Sequence, residues 1–225
     1  MTQLLLGITP ELVPTLDNFI AGRNTELLSA LRQALVETAG ERCFYLWGEP
    51  GCGRSHLLQA VIRQLRARGQ QAICLCGVVP EAGFLETARA VAVDDVETLN
   101  ETGQIALFDL YNRMRESGGL LLASGTVAPS HLALRDDLRT RLGWGLVYQV
   151  HALDDAEKTE ALERHAQARG FSLPHEVAHY LLRHGRRDLP ALLGLLDALD
   201  THCLRLKRAP SVPLLKEVMQ IPERL

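Results

Sequence analysis

The stretch from Phe44 to Ser55 constrains the fold more than any other part of the chain. Phe44, Tyr45, Leu46 and Trp47 form a short apolar run that reads as a buried strand. Four residues then separate Gly48 from Gly53-Arg54-Ser55, the spacing of a phosphate-binding loop with arginine where lysine is usual. A helical pattern from His56 to Arg68 follows, closed by Gly69. Strand, glycine-rich loop and helix in that order place backbone N–H groups and a helix N-terminus where an anion can sit. Gly51 and Gly53 let the backbone turn its amides inward. Cys52, Arg54, Ser55 and His56 complete the candidate nucleotide-binding residues with Gly48, Gly51 and Gly53. Ser55 is placed to offer a hydroxyl to Mg²⁺. Arg54 keeps the positive charge, but its planar fork is not the compact ammonium that sits on β- and γ-phosphates. Nucleotide binding is therefore expected more firmly than fast hydrolysis.

The rest of the chain supplies the partners that such a loop needs. A helix is expected from Thr25 to Thr38, with Asn24 as its cap. Further strands are expected at Ala72–Cys76, Ala90–Val96, Leu120–Ala123 and Leu146–Val150. Helices are expected between them, at Thr98–Ser117 and Leu132–Leu142. This alternation predicts a parallel sheet with right-handed crossovers. The third strand ends in Asp94 and Asp95. Carboxylates at the carboxyl end of a parallel strand, beside a phosphate loop, suit a metal ion. Asp94 is assigned to Mg²⁺ and Asp95 to polarising a water, the alternative being two solvated turn aspartates. Ser124 and Thr126, at the end of the fourth strand, are either ligand-touching hydroxyls or turn residues.

Strand signals stop after Val150. Helices are expected from Asp154 to Arg169, Pro174 to His184, Arg187 to Lys207, and from Ser211 onward. The chain thus reads as an N-terminal peptide over residues 1–14, an α/β nucleotide-binding domain over 15–150 and a small all-helical domain over 151–225. The net charge of −3 gives no global basic field for nucleic acid. Five cysteines, an odd count falling in strands and the phosphate loop, suit reduced thiols rather than a disulfide frame. No apolar run approaches the length of a membrane span, and a cytoplasmic location is expected.

With these motifs in place, the chain resembles the AAA+ ATPases, and among them the DnaA-related proteins of the Hda type. The carrying residues are Thr15-Leu16-Asp17-Asn18-Phe19, the phosphate loop, Asp94-Asp95, Ala106–Arg113 and Thr140–Leu146. The resemblance implies a P-loop AAA+ domain followed by a helical lid. It implies a negative regulator of replication initiation, which acts with the DNA-loaded β sliding clamp of DNA polymerase III. In that role it stimulates ATP hydrolysis on the DnaA initiator. Arg141 matches the family's arginine finger, offered in trans; otherwise it would pair with Asp136 or Asp137. Arg187 matches the lid residue that senses nucleotide. Gln3, Leu4, Leu6 and Ile8 match the family's clamp-binding peptide, whereas pattern alone favours a frayed tail or an edge strand. The nucleotide implied is ADP or ATP, with Mg²⁺ and self-association left open. DNA would be met through the clamp, since no helix-turn-helix of the DnaA kind follows the lid pattern in this sequence.

The sequence also departs from the family. Arg54 replaces the loop lysine, Gly125 falls near the usual sensor aspartate, and the segment between Cys76 and Ala90 is short. An ATPase or loader with its own turnover in DNA replication is the rival reading, and these departures count against it.

Overall fold

The computed structural model describes residues 13–37, 39–80, 87–185 and 188–220. Five parallel strands form one sheet in the order β2-β3-β4-β1-β5, with β1 at Cys43–Trp47, β2 at Ala72–Cys76, β3 at Ala90–Asp94, β4 at Leu120–Gly125 and β5 at Leu146–Gln149. Successive residues of a strand point to opposite faces, and the sequence uses both. Phe44, Leu46, Ala92 and Leu122 pack on one face against α1 (Thr25–Val36) and α2 (Arg54–Ala67). Tyr45, Val91, Val93, Leu121 and Ala123 pack on the other against α3 (Glu101–Ser117) and α4 (Asp136–Trp144). Because both faces are covered, the central strands read as continuous apolar runs rather than alternating ones. The α/β expectation from the sequence holds.

Several expected boundaries move for identifiable reasons. The third strand stops at Asp94, because Asp95 adopts a left-handed conformation at φ 50° and a 3₁₀ turn follows at Val96–Thr98. The helix expected from Thr98 begins at Glu101, where the Asn100 side chain accepts the Gly103 N–H at 2.8 Å. A 3₁₀ turn at Pro129–His131 delays the next helix to Asp136, and that helix runs on through Trp144. Asn24 does not cap α1. It is buried, donates to the His151 carbonyl at 2.9 Å and accepts the His151 N–H at 2.8 Å. The amide thus satisfies the backbone just beyond β5 instead of the start of its neighbouring helix.

Pro14–Ala152 make one compact unit, and residues from Leu153 onward belong to a second. The second is all-helical: α5 (Asp155–Ala168), α6 (His175–His184), α7 (Leu189–Leu206) and α8 (Val212–Gln220). Asp154 and Glu157 form a reciprocal capping box at the start of α5. Leu162, Val177, Leu181, Leu192, Leu196 and Leu215 supply its own core. Between α5 and α7, Asp197 lies 2.6 Å from His165 Nε2 and 3.3 Å from Arg169, which also reaches Asp200 at 3.1 Å. None of the helices among the described residues is long and apolar enough to cross a membrane. All five cysteines are free, and burial pushes the Cys43 thiol up to about 12.

Candidate functional site

The phosphate loop leaves the carboxyl end of β1 and enters α2, as its sequence predicts. Gly51 and Gly53 have φ of 82° and 105°, where a side chain would be strained. Gly48 has a different reason to be glycine: a Cβ there would lie 2.4 Å from the Val150 carbonyl oxygen. Gly53 is also roofed, since its Cβ would come within 2.7 Å of the Phe19 ring. Phe19 lies 5.5 Å from the His56 ring, and His56 Nε2 is 2.9 Å from the Thr15 carbonyl oxygen. The Thr15–Phe19 segment is thereby fastened over the loop. Burial holds the His56 imidazole below its usual pKa, opposed by the contact with Thr15. Cys52 is buried and Ser55 is exposed on the first turn of α2.

Arg54 does not extend into solvent. Its side chain is 8% exposed, and Nη1 lies 3.3 Å from Asp95 Oδ1. That nitrogen has no hydrogen-bond acceptor within the described residues, so a donor remains unspent at the mouth of the loop. An orphaned guanidinium N–H, two positive-φ glycines and the N-terminus of a 14-residue helix together fit phosphate oxygens.

The two aspartates differ sharply. Asp94 is buried and accepts the Ser124 hydroxyl proton. Ser124 Oγ in turn accepts the Asp95 N–H at 3.1 Å. Ser124 is therefore neither a ligand-touching hydroxyl nor a turn residue. It is fully buried inside β4 and braces the strand end that carries both carboxylates. Asp95 is half-exposed, and burial raises its carboxyl pKa, helped by Asp94 and Glu97 and opposed by Arg54. The structure does not present two solvated turn aspartates.

Ser55, Asp94 and Asp95 offer the hard oxygens that Mg²⁺ prefers. The guanidinium of Arg54 already occupies one side of Asp95, however, and a cation bound there would have to displace it. Cys76 Sγ also lies within 4.8 Å of the Asp94 and Asp95 oxygens, a soft donor that Mg²⁺ does not seek.

Two residues of the site escaped the sequence reading. Tyr45 Oη donates to the Val127 carbonyl at 2.8 Å, and a Cβ on Gly125 would lie 2.1 Å from Tyr45 Oη. Glu97 Oε1 accepts the Thr126 N–H at 2.9 Å, while its Oε2 is buried without a hydrogen-bond partner in the described structure. Space that a sensor side chain would need is thus filled by a tyrosine and a glutamate. Only the glycine itself signalled this in sequence.

At the far end of α4, Arg141 places its Cζ 4.1 Å from the centroid of the Trp144 ring and 5.5 Å from that of Phe108. Neither acidic neighbour is available to it. Asp136 pairs with Arg139 at 2.7 Å, and Asp137 pairs with Arg135 at 2.9 Å. Arg141 makes no ion pair among the described residues. Arg187, Gln3, Leu4, Leu6 and Ile8 lie outside the described residues.

Comparison with known proteins fits this geometry. Residues 155–219 match the family model of the Hda lid domain. Domain III of the Thermotoga maritima replication initiation protein DnaA superposes with TM-score 0.76 at 18% identity, covering 93% of this chain and 97% of that one. Residues 155–219 thus resemble an Hda-type lid, and the chain has the fold of DnaA domain III. AMPPCP-bound DnaA from Aquifex aeolicus gives TM-score 0.74 at 22% identity, over 84% of this chain and 66% of that one. A RuvB variant from Thermotoga maritima gives 0.70 at 19% identity, over 92% and 71%. At these identities the likeness to solved structures is one of fold. Within that fold, Arg54 lies against Asp95, Tyr45 Oη against the Val127 carbonyl and Glu97 against the Thr126 N–H.

Proposed function

We propose that this AAA+ protein is a negative regulator of replication initiation, which lends Arg141 across a subunit boundary to the ATP site of the DnaA initiator. The observation that carries the proposal is the state of Arg141. Its charge is left uncancelled beside the exposed ring of Trp144, while every other arginine of α4 and its cap is paired with a carboxylate. A guanidinium supplied in trans neutralises charge on a transferring phosphoryl group, an effect worth roughly 10³–10⁵ in rate in well-studied cases. The Hda-type lid supports the choice of DnaA as recipient.

In this reading the chain's own loop holds ADP or ATP through Gly51, Gly53 and Arg54 as a conformational ligand. Its own turnover is weak or absent, because Arg54 is drawn to Asp95 and Gly125 leaves no room for a sensor carboxylate. Mg²⁺, where present, would be held by Ser55 and Asp94, with Asp95 available once Arg54 moves to phosphate. Gln3, Leu4, Leu6 and Ile8 would tether the molecule to the β sliding clamp, and DNA would be reached only through that clamp. Self-association and a cytoplasmic setting belong to the same proposal.

The test is DnaA-ATP hydrolysis with clamp loaded on DNA, with and without this chain. Stimulation by the chain, lost in Arg141→Ala while ADP binding to the chain persists, is the expected result. An unchanged hydrolysis rate in the presence of the chain overturns the proposal.

A further inference from the structure

A finger on a long, flexible side chain has to be held in place before its partner arrives. We infer that Trp144, backed by Phe108, is the positioning residue for Arg141: a ring shelf that orients the guanidinium and leaves its charge free for a partner's phosphates. This inference rests on the trans-acting role proposed for Arg141.

Residues 141 and 144 are three apart on α4 and so share a face of the helix. Phe108 comes from α3 and completes the shelf from the side. Trp144 is 53% exposed, which core packing alone does not explain. Its backbone is fixed from behind, since a Cβ on Gly145 would lie 2.2 Å from the Cys43 carbonyl oxygen. The indole is therefore held at the end of α4 and faces outward.

The chemistry of the holder matters. A carboxylate would orient Arg141 more strongly, but it would cancel the charge and repel incoming phosphate. The face of an indole attracts a cation through its quadrupole without adding net negative charge. Arg115 also places its Cζ 5.5 Å from the Trp144 centroid, so the same ring carries a second guanidinium. Two guanidiniums around one exposed indole make a patch suited to a polyphosphate presented by another subunit, such as the β- and γ-phosphates of a bound nucleoside triphosphate.

The experiment compares wild type, Arg141→Ala, Trp144→Ala and Trp144→Phe in clamp-dependent DnaA-ATP hydrolysis. The maximal rate and the half-saturating concentration of this chain are read separately. Trp144→Ala should lower the maximal rate about five-fold, the bias that an exposed cation–ring contact supplies. It should leave half-saturation unchanged. Trp144→Phe should restore the rate to within about two-fold, because an aromatic face remains. Wild-type rate in Trp144→Ala, a change confined to half-saturation, or Phe no better than Ala would each overturn the inference. If Arg141→Ala itself keeps the full rate, the trans-acting role fails instead.

A spectroscopic arm covers misfolding of the alanine variant. With Trp47→Phe as background, Trp144 is the sole indole, and Arg141→Ala should change its emission. An emission spectrum untouched by Arg141→Ala means the ring does not hold the finger in solution.

Discussion

Arg54, at the phosphate loop, and Arg141, at the end of α4, carry the same guanidinium in two unlike surroundings. Arg54 is 8% exposed and lies 3.3 Å from the carboxylate of Asp95. Arg141 rests 4.1 Å from an exposed indole, with the nearby aspartates committed to other arginines. One charge is mostly answered within its own chain, and the other is kept available. Under the proposed function, that difference separates a holding site from an acting one. A site whose cation is drawn onto its own aspartate is suited to holding a nucleotide, whereas a cation on a ring is suited to completing a site elsewhere.

Exchanging each arginine for lysine would sharpen the contrast. Arg141→Lys keeps a charge but loses the flat fork that stacks on Trp144 and spreads over phosphate oxygens. DnaA stimulation should fall on the order of 10²-fold, a part of the roughly 10³–10⁵ that a finger supplies, because the charge is kept. Arg54→Lys should leave stimulation unchanged in the same assay, so parallel losses in both variants would erase the distinction.

The next effect concerns the filled sensor position. Gly125→Asp should cost about 1–3 kcal/mol in denaturant unfolding, because its Cβ collides with Tyr45 Oη, and it should not create ATPase activity. Tyr45→Phe in the same chain should return part of that loss, as expected of touching residues. Full stability in the single variant would show that the space is open after all. Arg54→Ala should cost less, about 1–2 kcal/mol. It strands Asp95 without its cation, but Asp95 is 39% exposed and solvent screens much of the effect.

The smallest effect belongs to His56. Its folded pKa is below the ordinary 6.5, so the unfolded chain binds the proton more readily. Stability should therefore decline as pH falls below 6.5 through the lower folded value, and His56→Gln should flatten that decline. Identical pH profiles for the two proteins would mean that the ring over the loop is not held neutral by burial.

Much of the phosphate loop was legible in the chain because its logic is local. Gly51, Gly53 and the helix start are fixed by backbone geometry over a dozen residues, and the apolar runs announced strands covered on both faces. Ser124 was not legible, because its partners Asp94 and Asp95 lie about thirty positions away, at and just past the end of the strand beside it. Asn24 misled for the same reason: a residue with a cap's chemistry found its hydrogen bonds at His151 instead. Phe19 was visible only as part of a family pattern, and nothing local said that its ring would roof Gly53.

By itself, then, the sequence determined the parallel α/β architecture, the anion-cradling loop and the helical unit that follows, because periodicity and turn chemistry act over short spans. Tertiary structure alone decided which charges stay free. Whether an arginine meets a carboxylate or a ring depends on which side chains the fold brings within a few ångströms, where an ion pair or a cation–ring contact is strongest.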